Sequence, residues 1–320
     1  MVDCRRNVRL KFIYARACLD KLEINFLMPK LISFLFLFYF CISCFHTIDR
    51  KDPTGSSAKY GAYGFYDGDP IPDKIAYLTF DDGPSDWTEG ILDVLKEEKI
   101  KASFFICGDW APKETRIKNG FKKYKDVLIR MRKEGHSVGN HTIDHRNLLS
   151  LSDEKIAKQF DDNQSMYDRE LGTESARMTL LRPPFGSPFN RPVSDQAKKR
   201  VGSVLKKKGV VVMWSKHFDS SDSKEWVRGE WYEKGPRINL DDEKFKAKMN
   251  RIYFRLVRGA DGKGIIVLFH DTHPTTKEIL TSVIRKLKSE GYGFGTIEDY
   301  VRWRWNMTSA ELSASERDSE

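Results

Sequence analysis

Short apolar runs alternate with amphipathic stretches along the middle of this chain. Seven runs, at 76–80, 102–107, 137–140, 179–182, 210–214, 265–270 and 292–297, are bounded by turn-forming or charged residues and read as buried strands. Between them, apolar residues recur at helical spacing over 89–98, 122–133, 153–171, 195–207, 242–257 and 276–288, with pairs such as Glu98-Lys99 and Lys133-Glu134 on the polar faces. Strands alternating with helices predict a parallel α/β architecture, either a barrel or an open sheet. In both, functional residues collect at the C-terminal ends of the strands. Asp81, Asp82, His141, Arg182 and His270 all stand at or just after such ends.

The two ends of the chain read differently from the middle. From Leu31 to Phe40 the sequence is almost wholly apolar, with Lys30 before it and charged residues from Asp49 onward. That run is short for a membrane span, which needs about 20 apolar residues, and fits the apolar part of a secretory signal. A start at Met28 would make Met28-Pro29-Lys30 a short positive segment, and Ile42-Ser43-Cys44 then resembles the lipobox of bacterial lipoproteins, with Cys41 where leucine is usual. The expectation is export, with residues 1–45 a signal peptide or signal anchor and either that anchor or a lipid on Cys44 holding the protein to a membrane. Residues 46–73, rich in Gly, Pro, Asp and Ser, read as a linker. Residues 306–320 read as a polar tail, without order from about Thr308.

The 320 residues supply ample core for a large domain at 74–305. Of the +9 net charge, residues 1–43 carry seven Lys or Arg against three acids, so +4 belongs to the N-terminal segment and +5 to the rest. That excess is mild, no nucleic-acid motif interleaves it with aromatics, and a nucleic-acid partner is not expected. Cys107 is the sole cysteine after residue 44, so the body forms no internal disulfide. There is no Gly-x-Ser-x-Gly elbow for a serine hydrolase.

Asp81 and Asp82 are adjacent carboxylates at a strand end, and two such groups in a cleft call for a cation. His141 and His145, four apart after Gly139-Asn140, supply imidazoles, and imidazole with carboxylate suits a divalent transition metal. The residues themselves therefore point to a metal-dependent hydrolytic site.

In order, Thr79-Phe80-Asp81-Asp82-Gly83-Pro84, Ala102-Ser103-Phe104-Phe105-Ile106-Cys107-Gly108, Gly139-Asn140-His141-Thr142-Ile143-Asp144-His145, Arg182-Pro183-Pro184-Phe185-Gly186 and Ile266-Val267-Leu268-Phe269-His270-Asp271 resemble the NodB-homology polysaccharide deacetylases, carbohydrate esterase family 4. The likeness runs from about Lys74 to Trp303. It implies a distorted seven-stranded (β/α) barrel that removes acetyl groups from N-acetylated sugars with a divalent metal, zinc foremost, cobalt or nickel as alternatives. It further implies Asp82, His141 and His145 as metal ligands, Asp81 as general base and Arg182 as the group that holds it. Phe185, where the family usually has tyrosine, would offer its backbone N–H to the oxyanion. His270 would be the general acid, Asp219 the carboxylate that tunes it, and Leu268 part of the pocket for the acetyl methyl.

One motif departs from the pattern. The family commonly carries Asp-x-x-Asp-Trp after the fifth strand, whereas here Asp219-Ser220-Ser221-Asp222 is followed by Ser223. Trp226 or Trp231, in an insertion at roughly 217–240, could replace the missing pocket wall. His217 and His273 carry no motif and read as surface or loop residues. The expected substrates are N-acetylglucosamine polymers, peptidoglycan or a surface polysaccharide ahead of chitin, with acetyl esters of xylan and a small-molecule amide as alternatives. Two rival readings are a non-haem iron oxygenase, whose two-histidine, one-carboxylate triad needs neither Asp81, Arg182 nor His270, and an inactive carbohydrate-binding relative.

Overall fold

The structure, a computed structural model, describes residues 70–109, 120–172, 177–190, 192–225 and 243–317. The N-terminal segment with Met28 and Cys44, most of the linker, and Trp226 and Trp231 lie outside these residues. Among the described residues no helix is long and apolar enough to cross a membrane.

All seven expected strands form: β1 (Ile75–Asp81), β2 (Ser103–Ile106), β3 (Ser137–Asn140), β4 (Leu180–Leu181), β5 (Val210–Val211), β6 (Ile265–His270) and β7 (Gly293–Gly295). Every pairing is parallel, in the order β5-β4-β3-β2-β1-β6. β6 runs along β1 from Ala76 to Asp81, while the opposite edge of β1 is shared by β7 at Ile75–Tyr77 and β2 at Thr79–Asp81. The chain leaving β5 then pairs with β6: Ser215 N donates to Ile266 O (3.0 Å), Leu268 N to Phe218 O (2.9 Å) and Ser220 N to Leu268 O (3.0 Å). These bonds join the two ends of the sheet order and curl it into a distorted barrel.

Strand alternation sorts the side chains into two sets. Ala76, Leu78 and Phe80 of β1, Phe104 and Ile106 of β2, and Ile265, Val267 and Phe269 of β6 belong to one buried cluster with residues of the surrounding helices. Phe80 stacks between Phe104 and Phe269, with ring centroids 5.0 and 5.5 Å away. The intervening residues Tyr77, Phe105, Leu180, Val210, Val212 and Ile266 form a separate cluster inside the barrel. By the same alternation Asp81, Arg182 and His270 point inward at the C-terminal ends, one pair-step above the apolar layer.

The helices are α1 (Thr88–Glu97), α2 (Gly120–Lys123), α3 (Lys125–Lys133), α4 (Asp153–Leu171), α5 (Asp195–Lys206), α6 (Asp222–Glu225), α7 (Glu243–Val257), α8 (Pro274–Ser289), α9 (Ile297–Trp305) and α10 (Ser309–Arg317). The helix expected over 122–133 is broken between α2 and α3 at Tyr124, whose backbone (φ −108°, ψ 28°) leaves the helical region while its hydroxyl donates to Asp86 Oδ1 at 2.7 Å. The tail also differs from expectation. Residues 309–317 form α10, with Leu312 and Ser313 fully buried. Thr308 and Glu311 cap it reciprocally: the Glu311 carboxylate accepts from Thr308 N (2.7 Å), and Thr308 Oγ1 accepts from Glu311 N (3.1 Å). Ser309 Oγ meets Thr179 Oγ1 at 2.6 Å, tying the helix to the approach to β4.

Candidate active site

Three inward strand-end residues begin the site. Arg182 is fully buried, and its Nη1 donates to Asp81 Oδ1 (2.9 Å) and Thr79 Oγ1 (2.6 Å) while Nε donates to Val212 O (3.0 Å). The guanidinium lies over the Phe105 ring, 4.1 Å from its centroid. Phe105 has room for this because position 139 is glycine: a Cβ there would sit 2.6 Å from the Phe105 ring. A buried charge pair survives only with good geometry and further hydrogen bonds; Arg182 has these at Nη1 and Nε, while its Nη2 is buried without a hydrogen-bond partner. Asp81 is thereby held at one oxygen.

The next residue breaks the alternation. Asp82 takes a left-handed backbone, φ 79°, which swings its carboxylate into the barrel mouth rather than outward. Gly83 makes this turn feasible, because a Cβ at that position would lie 2.0 Å from Asp271 Oδ2. Thr142 (φ 73°), His145 (φ 55°) and Phe185 (φ 60°) are also left-handed, so backbone strain concentrates around one point.

His141 and His145 meet Asp82 there. Asp82 Oδ1 is 3.2 Å from His141 Nε2 and 3.1 Å from His145 Nε2, and it is buried without a hydrogen-bond partner. His141 Nδ1 lies 2.6 Å from the carbonyl of Arg182 and must donate to it, which leaves Nε2 as a lone pair aimed at a carboxylate oxygen. Two lone pairs at that distance repel unless a cation or a proton lies between them. The spacing matches donors sharing one tetrahedral ion, whose bonds of about 2.0–2.1 Å place neighbouring ligands roughly 3.3 Å apart. Where protons rather than a metal ion bridge the three groups, burial opposes the Asp82 anion but the charged His145 and the hydrogen bonds from His141 and His145 outweigh it and hold the carboxyl well below its ordinary range. The residues present thus fit a divalent ion.

A buried amide pair absent from the sequence reading supports the histidine loop. Asn140 Oδ1 accepts from Thr142 N (3.0 Å) and Asn163 Nδ2 (2.8 Å), and Asn163 Oδ1 accepts from Gly108 N (2.9 Å). Asn163 sits on α4 in a run of polar residues; its one distinguishing mark is its place on the buried stripe with Ile156, Phe160 and Tyr167.

The carboxylate against His270 is Asp222, which corrects the expectation for Asp219. His270 Nδ1 lies 2.6 Å from Asp222 Oδ1. Asp219 instead pairs through its backbone with Leu268, and its Oδ1 accepts from Ser221 N at 2.7 Å, which shapes the turn in which Ser221 has φ 51°. That turn carries Asp222, fully buried, under β6. The sequence signal was the second aspartate of the Asp-x-x-Asp stretch. Burial alone would depress the His270 imidazole, but the Asp222 carboxylate overrides it and raises it to about 10. His273, expected at the surface, is 7% exposed with its ring 5.8 Å from that of His270, and burial lowers it to about 4. His217 is exposed as expected.

Phe185 lies on the turn Pro184–Gly186 with its ring 47% exposed, 4.5 Å from the His145 ring centroid. Leu268 faces inward two residues before His270 and is buried. Ser223, in the usual tryptophan position, is exposed. Asp81, Asp82, His141, His145, Arg182, Phe185 and His270 therefore come from separate stretches of the chain to one end of the barrel.

A parallel, helix-wrapped barrel with paired aspartates and two histidines at its C-terminal end is the architecture of sugar-polymer deacetylases. The profile described as polysaccharide deacetylase matches residues 68–205. The chain is 30% identical over 239 residues to the peptidoglycan-N-acetylglucosamine deacetylase of Bacillus cereus, covering 73% of this chain and 92% of that protein. It is also 30% identical over 225 residues to the peptidoglycan-N-acetylmuramic acid deacetylase PdaC of Bacillus subtilis, covering 70% of this chain and 38% of that protein. The solved structure of PdaC superposes with a TM-score of 0.54 in one form and 0.53 in another, at 28% identity over 78% of this chain and 98% of that chain. The chain belongs to the polysaccharide deacetylase family, hydrolases of carbohydrate esterase family 4.

Proposed function

We propose that this protein is a metal-dependent hydrolase that removes N-acetyl groups from N-acetylglucosamine-containing polysaccharide, with peptidoglycan or a surface polysaccharide ahead of chitin. The observation that carries the reading is the meeting of the Asp82–His141–His145 cluster with the Arg182–Asp81 and Asp222–His270 pairs in one barrel mouth. A divalent ion at Asp82, His141 and His145, zinc before cobalt or nickel, would supply Lewis acidity toward the amide carbonyl and the attacking water.

Asp81 is the general base. Arg182 occupies its Oδ1, and Oδ2, 3.9 Å from His141 Nε2, is left to accept the water proton. Water adds to the carbonyl carbon, and the resulting oxyanion is met by the backbone N–H of Phe185, whose ring lies 4.5 Å from that of His145. An amide breaks only if its nitrogen leaves as an amine, so a proton donor is required. His270, held protonated at neutral pH by Asp222, supplies that proton. The products are acetate and the free amino sugar.

Acetate release from N-acetylglucosamine oligomers and from peptidoglycan, with zinc present, tests this. Chelated protein and Asp82→Ala should release none. Metal-bound protein that binds glycan but releases no acetate would favour a binding-only relative. Acetate from acetylated xylan alone would move the assignment to esters. We further propose that the protein is exported and held at the membrane through residues 1–45. Mass spectrometry of the membrane fraction tests this, and an intact N-terminus at Met1 would contradict cleavage or lipidation at Cys44.

A further inference from the structure

We infer that Thr276, on the first turn of α8, is a positioning residue for the proton donor: its hydroxyl fixes the Asp222 carboxylate that orients His270. This rests on the reading of His270 as general acid.

Asp222 is fully buried, and its carboxylate accepts from the ring, the backbone and a neighbouring helix. Oδ1 takes the His270 ring Nδ1–H (2.6 Å) and the neighbouring Ser223 N–H (2.8 Å). Oδ2 takes the His270 backbone N–H (2.7 Å) and the Thr276 hydroxyl (2.6 Å). Two of these donors belong to His270 itself and one to the adjacent residue. The His270 backbone N–H sits in β6 and ties Oδ2 to the sheet, but none of these three donors reaches beyond the strand and turn that carry the pair itself. Thr276 adds a side-chain bond from a third element, α8. It is itself fully buried on a helix whose start is fixed by Pro274. Thr276 therefore references the Asp222–His270 unit to α8, which packs against α1 and α7 through the buried residues Ile279, Leu280, Val283 and Ile284. The bond is charge-assisted and shielded from water, the setting in which one hydroxyl does most to hold a geometry.

Thr276→Val keeps the shape and removes the donor. In the full chain with zinc restored, we expect kcat on N-acetylglucosamine oligomers to fall roughly 10- to 100-fold with KM unchanged, the loss of one hydrogen bond to a buried charge. Thr276→Ser should recover most of that rate. Proton NMR supplies a readout that needs no turnover: the low-field ring N–H signal of His270, assigned by its absence in His270→Gln, should broaden or move in Thr276→Val and return in Thr276→Ser. Should the valine protein not fold, Thr276→Ala carries the same comparison. Unchanged kcat together with an unchanged His270 signal would overturn the inference. Full activity in His270→Gln would instead overturn the general-acid reading, and the NMR comparison would then still decide whether Thr276 holds the pair.

Discussion

Replacing Asp222 by asparagine should change how the reaction depends on pH, and the structure sets the size of the change. The imidazole of His270 sits near 10 against an ordinary 6.5, burial opposing the rise and Asp222 supplying most of it. A raised imidazole is protonated below its folded pKa, so its capacity to donate is present across the neutral range and is lost as pH rises toward 10. Asparagine keeps the shape but removes the charge. With Asp222 neutral, only the weaker influence of Asp82 and Asp81 still opposes burial, so His270 falls toward its ordinary value, and at pH 8 only about 3% of it stays protonated for a pKa of 6.5. The alkaline limb of kcat should therefore move down by roughly three units, and the loss against the parent protein should be about 30-fold at pH 8 and less than about twofold at pH 6. The amide introduced by this change would also turn an N–H toward the donors His270 N and Thr276 Oγ1, costing about 1–3 kcal/mol of stability. The assay is acetate release from pH 5 to 10 at saturating substrate, beside thermal unfolding of both proteins. Asp219→Asn is the control, since Asp219 shapes the turn and does not touch His270. An alkaline limb that stays in place in Asp222→Asn, or that moves equally in Asp219→Asn, would refute the assignment of Asp222 as the group that charges His270.

Other perturbations follow from the same geometry. Arg182→Met should abolish turnover and cost about 3–5 kcal/mol in denaturant unfolding, because Asp81 would be left buried without its counter-charge. Gly83→Ala should cost more than about 2 kcal/mol and weaken metal retention, since its Cβ would meet the Asp271 carboxylate at 2.0 Å; zinc titration by calorimetry beside urea unfolding reads both effects. Zinc at about 1,000 times its Kd should add about 4 kcal/mol, or roughly 10 °C in Tm, and chelator or Asp82→Asn should remove that increment. A Tm indifferent to zinc would mean that the cluster does not hold it.

The strands were legible because alternation and composition are local properties. β3 and β6 fall where the pattern puts them, and β4 and β5 are shorter than their apolar runs because only two residues of each find a partner on the sheet. The helices α9 and α10 escaped the periodicity because their apolar stripes are weak; the capping pairs Thr296 with Asp299 and Thr308 with Glu311 were the signal that could have found them. Most of the site could be named in advance, since Asp81, Asp82, His141, His145, Arg182 and His270 lie in short motifs at strand ends.

By itself, then, the sequence determined which residues could do chemistry and on which end of the sheet they would stand. A strand's period of two and its direction are written in local order. Only the tertiary structure decided which partner each of them meets. Asp219 and Asp222 are equivalent as letters, and the turn at Ser221 delivers the second one to His270. Asn140, Asn163 and Thr276 are unremarkable polar residues until folding buries them against a loop or a carboxylate. His273 became neutral for the same reason. Such contacts as Asn140–Asn163, Asp222–His270 and Asp222–Thr276 join positions tens of residues apart, and the energy of a buried hydrogen bond depends on surroundings that exist only once the barrel has closed.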